Sequence, residues 1–215
     1  AMNKAAFLVA ANYLRRSMEL LEGELSWSQH YELCTDLHFS SANIEIVVGN
    51  YDCSRAILAK VLNFCRTKED IVAARMIGMS IQRGDGDLMG SVKTGLEILR
   101  EVGIKFPQKV PCSKFVFWRE LIRTNAILGT NSTKKSLDLP FVTDRLKQLT
   151  VQTMSHIAEA SFLGGDRYKN MFAAICLRMT HFTIRHGVTG ADACLAFAAC
   201  GMVHALLGKI DMALE

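Results

Sequence analysis

Histidine and cysteine side chains at helical spacing are the residues of this chain best suited to chemistry. His30, Cys34 and His38 stand four residues apart, and Cys200 and His204 repeat that spacing. Residues four apart lie on one face of an α-helix, so each set would point the same way, as zinc ligands or a thiol–imidazole pair require. A straight helix, however, separates positions i and i+8 by about 12 Å, too far for one metal ion. We therefore predict packed or hydrogen-bonded histidines, with no metal and no cofactor.

The sequence carries none of the short motifs that mark common catalytic or nucleotide sites. It has no GxxxxGK[ST], no GxSxG and no HExxH. The Gly-Asp-Gly-Asp run at 84–87 is acidic, but the regular further ligands and closing glutamate of a calcium loop do not follow it. We interpret that run as a turn, and we predict that the chain is not an enzyme.

Composition narrows the class of protein and its partners. Half of the 215 residues are hydrophobic and 21% are charged, which is typical of a globular chain. The net charge is +4, and the lysines and arginines are scattered among acidic residues, so nucleic acid is not a predicted partner. No apolar run is long enough for a membrane span, and we predict no membrane partner. The seven cysteines include no CxxC pair, which favours reduced, buried thiols in a cytoplasmic protein.

Apolar residues recur with the period of a helix along nearly the whole chain, and no stretch alternates like a strand. About ten helices are predicted: 3–22, 28–48, 52–65, 67–83, 88–102, 113–129, 143–163, 167–186, 190–207 and a last one that begins after 208. Capping residues support several starts, because Ser, Thr and Asp side chains accept hydrogen bonds from orphan amides. The predicted caps are Ser26 or Ser28, Asp52, Thr67 with Asp70, and Thr143. Two prolines make 104–112 a non-helical connector.

A repeated spacing links the turns between these helices. A glycine that ends one helix is followed five residues later by a small residue, where two helices would touch. The pairs are Gly49 with Ser54, Gly86 with Ser91, and Gly208 with Ala213. Seven residues before the first and third glycines stand two more small residues, Ala42 and Gly201. The pattern predicts repeated helical hairpins, and hence an all-α solenoid.

This spacing is similar to that of tetratricopeptide (TPR) repeats, and Gly49-x-Tyr51-x-x-Ser54 fits it best. Longer runs resemble the TPR-like helical region of large multidomain signalling proteins. They are residues 27–33 with Leu37-His38, then 95–97 with 102–104 and Phe106-Pro107, and the turn at 185–187. In that family a protein-kinase-like domain and an AAA-type (STAND) ATPase precede the helical region, and a GAF domain and often a histidine kinase follow it. The resemblance covers nearly the whole chain, with departures at Asn43, at Ser54 and Ser91 in place of alanine, and around Gly165.

The resemblance implies a single helical-repeat domain over residues 1–215, cut from a larger protein, with a sub-boundary near 104–112. It also implies a non-catalytic interaction or regulatory scaffold within a signalling ATPase or kinase. Its partners would be a protein, a peptide or neighbouring domains of the parent chain. The alternative is a regulatory module of a STAND-type ATPase that binds a small ligand.

A partner-binding surface is predicted on the concave face of the hairpins. The candidate residues, placed by counting back from Gly49 and Gly86, are Asp36, Phe39, Asn43, Ile46, Met76, Ser80 and Arg83. A solvated face without a ligand is an equally good interpretation. The aromatic residues near helix starts are predicted to close hairpin cores rather than to form a binding patch. They are Trp27, Phe115, Phe117 and Trp118.

Overall fold

The computed structural model describes residues 2–21, 23–129 and 139–208, without the side chains of 2–5 and 24. Over these residues it has ten α-helices and no strand. The helices are α1 (Met2–Leu20), α2 (Glu24–Gln29), α3 (Tyr31–Val48), α4 (Tyr51–Leu62), α5 (Lys68–Gly84), α6 (Leu88–Glu101), α7 (Lys114–Leu128), α8 (Arg145–Leu163), α9 (Lys169–His186) and α10 (Ala191–Leu206). The predicted all-α class is confirmed. The predicted loop at 130–136, Ala213 and the helix after Gly208 lie outside the described residues.

Local capping chemistry explains several of the helix ends. The Thr67 hydroxyl accepts a hydrogen bond from the Asp70 amide at 3.1 Å, as predicted. The cap of α8 is Asp144 rather than the predicted Thr143, and it accepts from the Lys147 amide. Gly49 ends α3 with φ +88°, a left-handed conformation that glycine adopts without steric cost. The turn that opens the repeated spacing is therefore built as predicted.

Two other predicted helix starts are also wrong. The helix expected at 28–48 is divided at His30 into α2 and α3, and neither Ser26 nor Ser28 caps it. The reason is tertiary, because Trp27 on α2 is buried and stacks on Phe64 at 4.6 Å between ring centroids. Asp52 lies in the first turn of α4 instead of capping it, since the N-cap residue is Asn50.

The chain divides into two compact units, residues 1–87 and 88–215. In the first unit α1 packs on α3, α3 packs on α4, and α5 packs on both α3 and α4. Its core contains residues from every one of these helices except α1, whose Met18 packs against it. The buried members are Trp27, Cys34, Ala42, Ile57, Leu58, Val61, Ala74, Ile77 and Ile81.

The helices of the second unit do not all pack in chain order. Helix α6 packs on α8, α8 on α9, and α10 on both α8 and α9, whereas α7 packs on α9. The connector 104–112 lies inside this unit and is not helical, in agreement with its two prolines. Its Phe106 and Cys112 are buried. The single-domain interpretation of 1–215 stays a prediction.

A bilayer crossing needs a long apolar helix. None of the helices in the described ranges is both long and apolar enough for this.

Candidate functional site

The seven predicted groove residues lie on two helices of the first unit, α3 and α5, which pack against each other. Asp36 and Asn43 are exposed, whereas Phe39 and Ile46 are half-buried against the core. On α5, Met76 is only 8% exposed, and Ser80 and Arg83 are half-buried. The exposed face of α3 also includes Ser40 and Val47, which the sequence analysis missed. Ser40 stands four residues after Asp36, and Val47 stands four residues after Asn43. Residues four apart lie on one face of a helix, so counting forward from Asp36 and Asn43 identifies both.

The small residues of the repeated spacing meet in the first hairpin. Ser54 on α4 is completely buried, and its hydroxyl donates a hydrogen bond to the Ala42 carbonyl of α3 at 2.8 Å. A helical carbonyl has a second lone pair beyond its backbone bond, so it accepts this additional donor. The predicted contact between helices at Ser54 is therefore present, and Ala42 is its partner.

The second unit uses the same kind of contact twice, at residues that no repeated spacing in the sequence marks. The Thr180 hydroxyl of α9 donates to the Ala196 carbonyl of α10 at 2.9 Å. The Thr124 hydroxyl of α7 donates to the Leu177 carbonyl of α9 at 3.0 Å. Both threonines are fully buried. Short hydroxyl side chains thus allow close helix approach while keeping a buried polar group paired.

The two Cys–His pairs adopt the predicted packed, hydrogen-bonded form. Nδ1 of His38 lies 2.7 Å from the Cys34 carbonyl, and Nδ1 of His204 lies 2.8 Å from the Cys200 carbonyl. His30 stands at the break between α2 and α3, outside the helical stripe it was expected to share. Within the described ranges, no three His, Cys, Asp or Glu side chains come together as a metal site would require.

The buried Cys200 and His204 and the half-buried Asn125 form a cluster that has the residue types of a nucleophilic triad. His204 Nδ1 lies 3.6 Å from the Cys200 thiol, and its Nε2 lies 2.7 Å from the Asn125 side-chain oxygen. Burial raises the pKa of the Cys200 thiol to about 11, so the thiol stays protonated at neutral pH. The thiolate is the nucleophilic form, and Cys200 is only 5% exposed. The cluster therefore holds α10 to α7 by packing and hydrogen bonding.

A cleft of about 290 Å³ opens between α1, α3 and α4 in the first unit. Its lining residues are Arg15, Met18, Glu19, His38, Ala56, Ile57 and Lys60. Burial, and next the charge of Lys60, lower the pKa of His38, so its imidazole is neutral at pH 7. With Nδ1 donating to the Cys34 carbonyl, Nε2 carries the lone pair. His38 lines the cleft together with Arg15 and Lys60, and only 2% of this residue is exposed.

The lowered pKa of His38 predicts that acid destabilises the protein. The unfolded chain binds a proton at His38 near its ordinary pKa of 6.5, while the folded chain resists protonation. Stability is therefore complete above pH 6.5 and falls as the pH drops from 6.5 toward the lowered pKa of the folded state. Burial lowers the pKa of His181 and His186 as well, which adds to the effect.

Urea unfolding at pH 7.5 and pH 5.0 measures this loss. We expect His38→Gln to reduce the difference in unfolding free energy between the two pH values, whatever it does to stability at pH 7.5. An undiminished difference in the variant would show that His38 is not one of the groups responsible.

The four predicted core aromatics fall into two groups. Trp27 is buried and Phe117 packs against the core of the second unit, as predicted. Phe115 and Trp118 are instead 74% and 50% exposed on α7. The prediction that these two close a hairpin core is wrong, because the face of α7 that packs on α9 carries Phe117, Glu120, Leu121 and Thr124.

A buried carboxylate fixes α7 to α9. Glu120 is 1% exposed and accepts from Arg178 of α9 at 2.9 Å and from Arg119 at 2.8 Å. Arg123 approaches the same carboxylate at 3.6 Å. Three guanidinium groups thus share one carboxylate, and two of the three, Arg119 and Arg123, are on α7 itself. No sequence motif identifies this arrangement, because Arg178 is 58 residues from Glu120.

Comparisons with family models, curated proteins and solved structures find no match to this chain. The functional interpretation therefore depends on the geometry of the helices and on the residues that they expose.

Proposed function

We propose that this chain is a TPR-like α-solenoid module that acts as a non-catalytic interaction or regulatory scaffold in a signalling ATPase or kinase. The observation that carries the proposal is the hairpin contact between Ser54 and the Ala42 carbonyl. Ser54 stands five residues after Gly49, and Ala42 stands seven residues before it. These are the positions at which the repeated spacing places small residues. A repeat of this kind has no enclosed pocket for chemistry and presents surface instead.

The order of helix packing supports the same proposal. In a helical-repeat array each hairpin contacts its neighbours, so a helix packs on the next helix and on the one after it. Helix α3 packs on α4 and α5 in this way, and α8 packs on α9 and α10. Helix α6 packs on α8 and passes over α7, which places α7 outside the repeat order. On this interpretation α7 is an additional helix attached to the array through α9.

The face of α3 that includes Asp36 and Asn43 is the proposed contact surface for a peptide, a protein or a neighbouring domain of the parent chain. Both side chains are exposed, and they lie seven residues apart on one stripe of the helix. Polar groups beside the half-buried Phe39 and Ile46 give the mixture of apolar contact and hydrogen bonding that peptide recognition uses. Binding there would bias linked domains by a population shift.

Free, mostly buried cysteines fit a cytoplasmic setting.

A peptide selection followed by surface variants tests the scaffold function. Peptides are selected from a displayed library against the folded chain, and each affinity is measured by titration. We expect Asp36→Ala combined with Asn43→Ala to weaken a selected peptide at least about tenfold, the loss typical of a central contact. The matched control is Asp166→Ala with Asn63→Ala, at exposed positions outside α3. Selected peptides that bind both double variants equally would refute the surface.

The cleft at His38 favours a second candidate function, the binding of a small regulatory ligand. The cations Arg15 and Lys60 line this cleft beside the neutral imidazole of His38, a lining that suits a small anion. A thermal shift screen with hydroxy acids and sugar phosphates tests it. Stabilisation that His38→Gln and Lys60→Ala both abolish, and that Lys114→Ala retains, would support ligand binding. Equal shifts in all three variants would refute it.

A further inference from the structure

The outer face of α7 carries an apolar stripe that its own fold does not use. Phe115, Trp118 and Ile122 follow one another at i, i+3 and i+7 and are 74%, 50% and 68% exposed. Ala126 continues the stripe one turn later and is also exposed. Single exposed apolar residues are normal on protein surfaces, but a continuous stripe of large ones marks an interaction surface.

The rest of α7 explains why this face points outward. Leu121 belongs to the core of the second unit, Thr124 bonds to the Leu177 carbonyl, and Glu120 bonds to Arg178. These three contacts hold the inner side of α7 against α9, so the helix cannot rotate to bury the stripe. The stripe is therefore presented on a rigid support, which lowers the entropic cost of binding a partner.

Charge on α7 is arranged along one edge of the stripe. The helix contains a single acidic residue, Glu120, and that carboxylate is buried. Its solvent-accessible charges are consequently all positive, because Lys114 and Arg123 are exposed and Arg119 is half-buried. Arg119 and Arg123 are four residues apart, so they line the same edge about one turn from each other. Glu120 also restrains both guanidinium groups in position.

We propose that the α7 stripe, made of Phe115, Trp118, Ile122 and Ala126, binds an acidic amphipathic helix. The partner helix lays apolar residues spaced i, i+3 or i+4 and i+7 along the stripe. It places two carboxylates one turn apart against Arg119 and Arg123, whose guanidinium groups keep N–H donors beyond those that face Glu120. Trp118 and the two arginines are residue types that dominate binding energy at interfaces. This surface consists of other residues than the α3 face, and the inference rests on the proposed scaffold function.

The geometry favours a helix over a lipid surface or a second copy of this chain. Three large side chains over two turns span about 10 Å, which matches the contact length of one peptide helix. A bilayer-bound helix needs cations spread along its polar face, whereas the cations here are restrained on one edge by a buried acid. A second copy would place arginines against arginines across a two-fold axis, and like charges oppose that pairing.

The test uses designed peptides of about 14 residues, enough for nearly four helical turns. Each carries four leucines on one face and two glutamates one turn apart on its edge, with the spacing varied across a panel. A scrambled peptide of equal composition and a peptide with lysine in place of glutamate are the controls. Binding is followed by anisotropy of the labelled peptide. Trp118 gives a second readout, because Trp27 is only 2% exposed and stacked on Phe64.

Ile122→Ser is the principal variant, because this side chain is exposed and its loss should leave the fold intact. We expect it to weaken the best acidic peptide at least about tenfold. Arg123→Gln should weaken binding about threefold and reduce its dependence on salt. The matched controls are Leu163→Ser, also exposed and apolar, and Lys169→Gln, also exposed and basic. Far-UV circular dichroism confirms that each variant folds.

Several results would overturn the proposal. They are the absence of binding to every acidic peptide up to about 200 µM, equal binding of the scrambled peptide, or unchanged affinity in Ile122→Ser. Binding to phosphatidylserine vesicles that Ile122→Ser abolishes, without peptide binding, would assign the stripe to membranes. Dimerisation that Ile122→Ser abolishes would assign it to self-association. The double variant of Asp36 and Asn43 should bind the acidic peptide normally, so failure here leaves the α3 surface a separate question.

Discussion

Glu120→Ala is expected to destabilise the protein by about 3–5 kcal/mol, the usual cost of leaving a buried charge without its partner. Arg178 is 13% exposed, donates a hydrogen bond to Oε1 of Glu120 and lies 2.8 Å from its Oε2, and Arg119 also donates to Oε1. Removing the carboxylate takes their shared counter-charge from the guanidinium groups of Arg178, Arg119 and Arg123. Urea unfolding followed by far-UV circular dichroism measures the loss. Glu120→Gln keeps the volume and one acceptor, so we expect a smaller loss.

A surface carboxylate provides the control for this effect. Glu159 on α8 is about half exposed and lies 3.6 Å from His156. Exposed ion pairs contribute little, so Glu159→Ala should change stability by no more than about 0.5 kcal/mol. A loss of similar size in both variants would show that the burial and the arginine partners of Glu120 do not raise its contribution to stability above that of a surface carboxylate.

Replacing both Glu120 and Arg178 tests whether the loss of stability in Glu120→Ala comes from leaving Arg178 unpaired. Glu120→Met combined with Arg178→Met exchanges a desolvated pair for two flexible apolar side chains. Such exchanges are often neutral or stabilising, so the double variant should be more stable than Glu120→Ala. A double variant that is no more stable would mean that the other arginines, rather than the unpaired Arg178, set the cost.

The class of fold was predictable because the apolar residues keep one helical period nearly throughout. Turns at Gly49, Gly86 and Gly187 need only local information, since glycine alone adopts their positive φ without strain. The break at His30 was not predictable, because the apolar pattern runs through it and the cause is the stacking of Trp27 on a distant Phe64. The burial of Ser54 was predictable because a repeated spacing identified it.

The candidate sites were less accessible to sequence reasoning. A helical stripe of large apolar residues normally indicates a core face, and α7 has such residues on both sides. Contacts with Arg178 and Leu177 of α9, more than 50 residues later in the chain, decide which side of α7 packs against the unit. In the same way the neutral state of His38 follows from its burial beneath Trp27 and the neighbouring charge of Lys60. Long-range packing of this kind leaves no local pattern.

Ser54→Leu is expected to destabilise the first unit by about 3 kcal/mol, because overpacking of a tight core costs about 1–3 kcal/mol and a buried hydrogen bond is lost as well. The Ser54 side chain is wholly buried between α3 and α4, and its oxygen lies 2.8 Å from the Ala42 carbonyl. A branched side chain at that position must push the two helices apart. Thermal and urea unfolding measure the effect.

Two substitutions separate size from hydrogen bonding at this contact. Ser54→Ala removes the hydroxyl but keeps the helices close, and alanine has the better helix propensity, so we expect a change of less than about 1 kcal/mol. Ala59→Leu adds a side chain of the same size on the exposed side of α4 and should be nearly neutral. If Ser54→Leu were as well tolerated as Ala59→Leu, close helix contact would not be what the repeated glycine and small-residue spacing encodes. The TPR-like interpretation would then lose its structural basis.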